Sequence, residues 1–184
     1  MYTMDDIVRE GHPILRQVAD AVTLPPSEED QKTLNKMMEY LVNSQDDNIA
    51  QQCQLRPGIG LAAPQIAVSK RMLAVYLVDG KEQLHQYAMI NPRIISHSIE
   101  KSYLESGEGC LSVDRDVPGY VPRYARIKVR AYDINGQEFT IKLRGLPSIA
   151  VQHELDHLDG IMFYDHINAD DPFAVPDNAR SVDR

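Results

Sequence analysis

Apolar positions recur with two different periods along the chain. In the stretch opened by Ser27, Leu34, Met37, Met38, Leu41 and Val42 fall at helical spacing, which predicts a helix fading between Asn43 and Asp47. Ser27 and Asp30 form a capping pattern, and Glu28, Glu29 and Asp30 suit the positive end of the helix dipole. Upstream, residues 4–21 read as a short helix, a break at Gly11-His12-Pro13 and another helical turn or two, with Leu24-Pro25-Pro26 as a stop. Residues 48–57 read as an irregular or short helical link. The Gly- and Pro-punctuated stretch from Gly58 to Gln65 reads as a loop or bent edge segment.

Strand patterns follow. Residues 72–78 and 83–90 flank Asp79-Gly80, a hairpin signal. Asn91-Pro92 is expected to break the run, and 93–104 reads as a further strand. Residues 105–123 look irregular. Ile127, Val129 and Ala131 alternate before Asn135-Gly136, and Phe139, Ile141 and Leu143 alternate after it, the strongest hairpin signal in the chain. A helix is predicted next, with Gly145 and Pro147 marking its start, Ser148 offering a capping hydroxyl and Gly160 ending it. Leu146, Ile149 and Ala150 would share a side with His153 and His157, while Val151, Leu155 and Leu158 form a second apolar stripe. A helix apolar on two sides is a buried one. Residues 161–167 could be a short strand, and 170–184 reads as a loosely held tail. This order predicts an α+β fold: N-terminal helices, then antiparallel sheets packed around a C-terminal helix, all in one domain over 1–184.

Composition sharpens the class. The chain is 43% hydrophobic and 25% charged, ordinary for a soluble globular protein. It carries a net charge of −8 with no cluster of Lys or Arg, which argues against direct nucleic-acid binding. No apolar run reaches a membrane span and no signal peptide is read, so a cytoplasmic location is expected. Cys53 and Cys110 are then expected to be free thiols.

The candidate chemistry lies in the last helix. His153-Glu154-Leu155-Asp156-His157 reads H-E-x-x-H. Residues four apart share a helical face, so both imidazoles can meet one metal ion, and Glu154 can take a proton from water activated there. A shuffled chain of this composition would show such a motif with a probability of roughly 0.03, so a third ligand has to support it. His12, His85, His97 and His166 are isolated. No Glu follows His157, and the position of a third His in the extended zinc-protease pattern is Phe163. Cys110 is the better candidate, in Glu108-Gly109-Cys110-Leu111-Ser112. Gly109 removes a Cβ beside its thiolate. Alone, Cys110 would read as a small buried core residue. Cys53 reads as structural.

Three blocks now stand in order: Gly58-x-Gly60-Leu61-Ala62-Ala63-x-Gln65, Glu108-Gly109-Cys110-Leu111-Ser112 and His153-Glu154-x-Asp156-His157. Together they resemble the signature motifs of peptide deformylase. Asn91-Pro92, Val121-Pro122-Arg123 and Gly145-Leu146-Pro147 extend the likeness over most of residues 4–167, and the chain is similar to the longer bacterial subclass. The resemblance implies a hydrolase that removes the N-formyl group from the N-terminal formyl-methionine of newly made polypeptides and releases formate. It implies one divalent metal held by Cys110, His153 and His157. Fe²⁺ would be the physiological ion, with Zn²⁺, Ni²⁺ or Co²⁺ able to take its place, although H-E-x-x-H by itself favours Zn²⁺. Glu154 would be the proton carrier. The Gln65 amide and the Leu111 N–H would stabilise charge on the formyl oxygen. Ile59, Gly60 and Gly109 would meet the substrate backbone. A monomer working near the ribosome is the expected setting.

Leu146, Ile149 and Ala150 are candidates for the methionine pocket, and Asp156 is expected to pair with Arg123. Two other readings remain open on the residues alone. One is a zinc peptidase with an open cleft; the other is a metal-stabilised binding domain in which Glu154 has no role.

Overall fold

The computed structural model describes residues 1–183. The expected helix is α1, Glu28–Ser44, and the Ser27 hydroxyl accepts the Asp30 N–H at its start. A short helix α2, Asp47–Cys53, fills the expected link. Next come β1 (Gly60–Ala62), β2 (Met72–Val78), β3 (Leu84–His97), β4 (Lys101–Leu104), β5 (Arg123–Tyr124), β6 (Arg126–Tyr132) and β7 (Glu138–Arg144). Helix α3, Gly145–Leu158, follows β7 without a linker, and β8 is Ala179–Val182.

Five strands form one sheet in the order β1-β2-β3-β6-β7, every neighbour antiparallel. Strand β2 lies between β1 and β3 and is buried on both faces over most of its length. Leu73, Val75 and Leu77 point into the cluster that includes Val151, Leu155 and Leu158 of α3. Met72 and Ala74 point the other way, into the cluster built on Leu34, Met37, Tyr40 and Leu41 of α1. The sheet is therefore sandwiched between the two helices, and α3 is buried from Leu146 to Leu158 except at Asp156. That is the α+β arrangement expected, and burial of this apolar surface is its main driving force. Among the described residues no helix is long and apolar enough to cross a membrane.

The differences from expectation have local causes. On α1 it is Tyr40 that is buried, its hydroxyl donating to the Arg56 carbonyl at 2.8 Å, while Val42 faces solvent. Asn91-Pro92 does not end its strand. Asn91 takes a positive φ, and its amide side chain exchanges two hydrogen bonds with the Val22 backbone. The irregularity becomes a register shift inside β3. Residues 93–104 divide between β3 and β4, which lie in different sheets. Ser148 does not cap α3. It lies inside the helix and takes a hydrogen bond from Gln152 at 2.9 Å. Residues 163–166 form a 3-10 turn rather than a strand. Within the tail expected to be loose, β8 pairs in parallel with β4, which is paired on its other edge with β5; Arg184 lies outside the described residues.

Candidate metal centre

Helix α3 places His153 and His157 one turn apart on the face turned toward residues 105–122. That segment has no strand or helix of its own. It brings the Cys110 thiol to the two imidazoles, so that one donor atom from each of the three residues lies within 4.8 Å of the others. Cys110 Sγ is 3.3 Å from His157 Nε2. All three side chains are buried. The donor set, one thiolate and two imidazoles, suits a borderline or soft divalent ion and leaves a coordination position for a further ligand. Both cysteines are free thiols in the structure.

The imidazoles are held differently. His153 Nδ1 lies 2.8 Å from Glu108 Oε1, which fixes the ring and leaves Nε2 for a metal. Burial works against a proton on His153, but Cys110 and Glu108 outweigh it and raise its pKa above the ordinary value. Burial pushes His157 well below its ordinary value, so that ring is neutral, the form that binds metal. Phe163, at the position where an extended zinc-protease motif would carry a third His, stacks on the His153 ring at 5.9 Å.

The Glu108 side chain is itself buried. Burial raises its pKa, but the Arg123 guanidinium overrides burial and draws it down to about 2. Arg123 grips both carboxylate oxygens, at 2.9 and 2.8 Å, and reaches Asp156 Oδ2 at 2.5 Å. The Arg123–Asp156 pair is the one expected. His166 joins it, with Nε2 at 2.8 Å from the same Asp156 oxygen. Glu108 as partner of the His153 ring was not foreseen, although it stands in the quoted block. The available signal was an acidic residue set between two glycines, two positions before the Cys.

Glu154 lies beside the donors with Oε2 buried and without a hydrogen-bond partner. Burial pushes its pKa up to about 7. Gly60 lies against it: a Cβ there would sit 2.5 Å from Glu154 Oε1, so β1 approaches the carboxylate as only glycine allows. Gln65 Oε1 accepts the Ala62 N–H at 2.9 Å. That orients the side-chain amide so that Nε2 faces Ser112 Oγ at 3.1 Å and Cys110 Sγ at 3.5 Å. A cavity of about 240 Å³ opens here, bordered by Ile59, Gly60, Gly109 and Leu111 near the donors and by Leu146, Ile149 and Ala150 beyond them. At Gly109 a Cβ would meet no protein atom within 4 Å, so the space it leaves belongs to the cavity.

All nine residues singled out from the sequence thus surround one cavity or its donor cluster. The polypeptide deformylase family profile matches residues 4–172. The chain belongs to that family. It is similar to peptide deformylase 2 of Bacillus cereus, with 60% identity covering 100% of both chains, and to peptide deformylase 2 of Bacillus subtilis, with 54% identity over the same share. Among solved structures it resembles the peptide deformylase of Thermotoga maritima, with a TM-score of 0.72 and 32% identity, covering 88% of this chain and 96% of that one. Family membership gives the activity: hydrolytic removal of the N-formyl group from new polypeptides. Peptidase and binding-domain readings of the motif fall away with it.

Proposed function

We propose that Cys110, His153 and His157 hold one divalent ion and that Glu154 is the proton carrier of deformylation. The observation that carries this reading is a buried carboxylate oxygen with no partner, Glu154 Oε2, beside three converging donors. When bound, the ion supplies Lewis acidity that makes hydroxide available near neutral pH. Glu154, its carboxyl raised by burial, accepts the proton as the water oxygen attacks the formyl carbon. The C–N bond then breaks, and Glu154 delivers that proton to the departing amine as formate forms. Gln65 Nε2 and the Leu111 N–H donate to the formyl oxygen as it gains negative charge. Ile59, Gly60 and Gly109 meet the peptide backbone, and Leu146, Ile149 and Ala150 take the methionine side chain.

By resemblance, Fe²⁺ is the physiological ion, with Zn²⁺, Ni²⁺ or Co²⁺ as substitutes. A monomer in the cytoplasm acting on formyl-methionyl nascent chains is the working form.

Formate release from formyl-Met-Ala by wild type and Glu154→Ala, each with its metal content measured, tests the assignment. Glu154→Ala should keep its metal and lose about 10²- to 10⁴-fold in kcat. Equal rates at equal metal loading would remove Glu154 from the mechanism.

A further inference from the structure

Arg56 lies outside the three motif blocks, at the rim of the cavity. Its guanidinium makes its shorter hydrogen bonds to carbonyl groups, with a longer contact from Nη1 to the exposed Asp114 Oδ1 at 3.5 Å. Nη2 donates to Cys110 O at 2.7 Å, and Nη1 donates to Val113 O at 3.0 Å. The Cys110 carbonyl also receives the Val113 N–H at 3.0 Å. The base of the Arg56 side chain is fixed in turn, because the buried Tyr40 hydroxyl donates to the Arg56 carbonyl at 2.8 Å.

The identity of the carbonyl matters. Cys110 C=O and Leu111 N–H belong to one planar peptide unit, in which the two groups point in opposite directions. Holding the oxygen therefore fixes the direction of the N–H. Leu111 is buried against the cavity, and its N–H has no acceptor among the described residues. At the cavity wall this N–H is free to donate to a group that enters the cavity. A cation on the carbonyl oxygen also draws electron density out of the amide, making the N–H at the other end a stronger donor.

We propose that Arg56 is a positioning residue for deformylation: it aims and polarises the Cys110–Leu111 peptide so that the Leu111 N–H is set for the charge that develops on the formyl oxygen. This rests on the assignment of that N–H as a donor to the formyl oxygen. The forked guanidinium is required because two carbonyls must be held at once. An ammonium at the same place is a point charge without that fork.

Arg56→Gln and Arg56→Lys, compared with wild type in the Zn²⁺-loaded protein, test the proposal. The readouts are kcat and KM on formyl-Met-Ala, metal per chain, and the Leu111 amide proton shift by NMR. Loss of a whole donor costs about 10²- to 10³-fold in kcat, so weakening and misaiming one should cost about 10-fold, carried mainly by kcat. Arg56→Lys should fall between wild type and Arg56→Gln, with the Leu111 amide proton moving upfield in the same order at constant metal content. A kcat within twofold of wild type in Arg56→Gln overturns the proposal. So does a loss of kcat with the Leu111 amide shift unmoved, which would make Arg56 a loop staple. Replacing the Cys110–Leu111 amide by an ester, which removes the N–H, separates the two layers. An ester protein with wild-type kcat overturns the donor assignment and the proposal with it, whereas an impaired ester protein beside unimpaired Arg56 variants overturns the role of Arg56 alone.

Discussion

Helix α3 delivers His153, Glu154 and His157 within little more than one turn, whereas Cys110 arrives on a segment without regular structure. The helix is held by packing: Val151, Leu155 and Leu158 are buried in the main cluster against the sheet. The segment at 105–122 buries Cys110, Val113 and Val121 beside Phe163, and Leu111 in the α1 cluster, but without backbone pairing its course is also fixed by cations. Arg123 grips Glu108, Arg56 grips the carbonyls of Cys110 and Val113, and Arg9 pairs with Asp114. Packing is non-directional and tolerates a small shift. A hydrogen-bonded ion pair fixes direction, which an irregular backbone cannot do for itself. The helical half owes its geometry to the period of the chain, and the other half borrows it from distant side chains.

Arg123 joins the two halves, so removing it should have the largest effect. Its side chain is 3% exposed and that of Glu108 is 4% exposed. Arg123→Met would strand a buried carboxylate, which typically costs about 3–5 kcal/mol. Urea unfolding should read that loss. The pair also has an acid signature. Burial raises the Glu108 carboxyl, but Arg123 holds it at about 2, below its ordinary value of 4.5. The folded value is depressed, so the contribution is complete above pH 4.5 and is lost as pH falls toward 2. Arg123→Met should flatten that part of the stability profile. A loss under about 1 kcal/mol would mean that the two halves are not joined here.

Leu158→Ala probes the packed half. Leu158 is fully buried, and truncation should cost about 3 kcal/mol in unfolding free energy. Metal affinity of the folded protein should stay within about twofold of wild type, because the side chain touches packing rather than donors. A parallel fall in metal affinity would show that packing, too, sets the donor geometry.

Glu108→Gln probes the polar half at the proposed metal site. A carboxylate behind a metal-binding imidazole typically contributes about 10- to 100-fold in affinity. Chelator competition should show that loss, the reverse of the pattern at Leu158. Unchanged affinity would leave His153 oriented by its Phe163 contact alone.

The same division governs what could be read from the chain. The cap of α1, the hairpin at Asn135-Gly136 and the buried α3 follow from period and turn chemistry, which lie within a few residues of each other. The three motif blocks were legible because each packs its residues into a short string. Tertiary contacts carried the misreadings. Asn91 continues its strand because Val22, far away in sequence, satisfies its amide. Strand β8 exists because β4 offers an open edge, which the polar tail composition does not announce. Tyr40 is buried in place of Val42 because its hydroxyl finds the Arg56 carbonyl. Glu108 and Arg56 escaped notice for the same reason: their partners are 15 to 58 positions away, at spacings that no period encodes.

Asp114→Asn should have the smallest effect, and it tests how deep the polar control runs. Asp114 is 62% exposed and pairs with Arg9 at 3.0 Å and with Arg56 at 3.5 Å. Exposed pairs of this kind contribute about 0–1 kcal/mol, because water screens them and two long side chains lose freedom. The variant should therefore unfold within about 1 kcal/mol of wild type and keep its metal affinity, at low salt and in 1 M NaCl alike. Arg56 would still hold the Cys110 and Val113 carbonyls, whose bonds do not pass through Asp114. A larger loss that salt abolishes would mean that the outer ion pairs position the Cys110 segment, and that its inner hydrogen bonds merely follow.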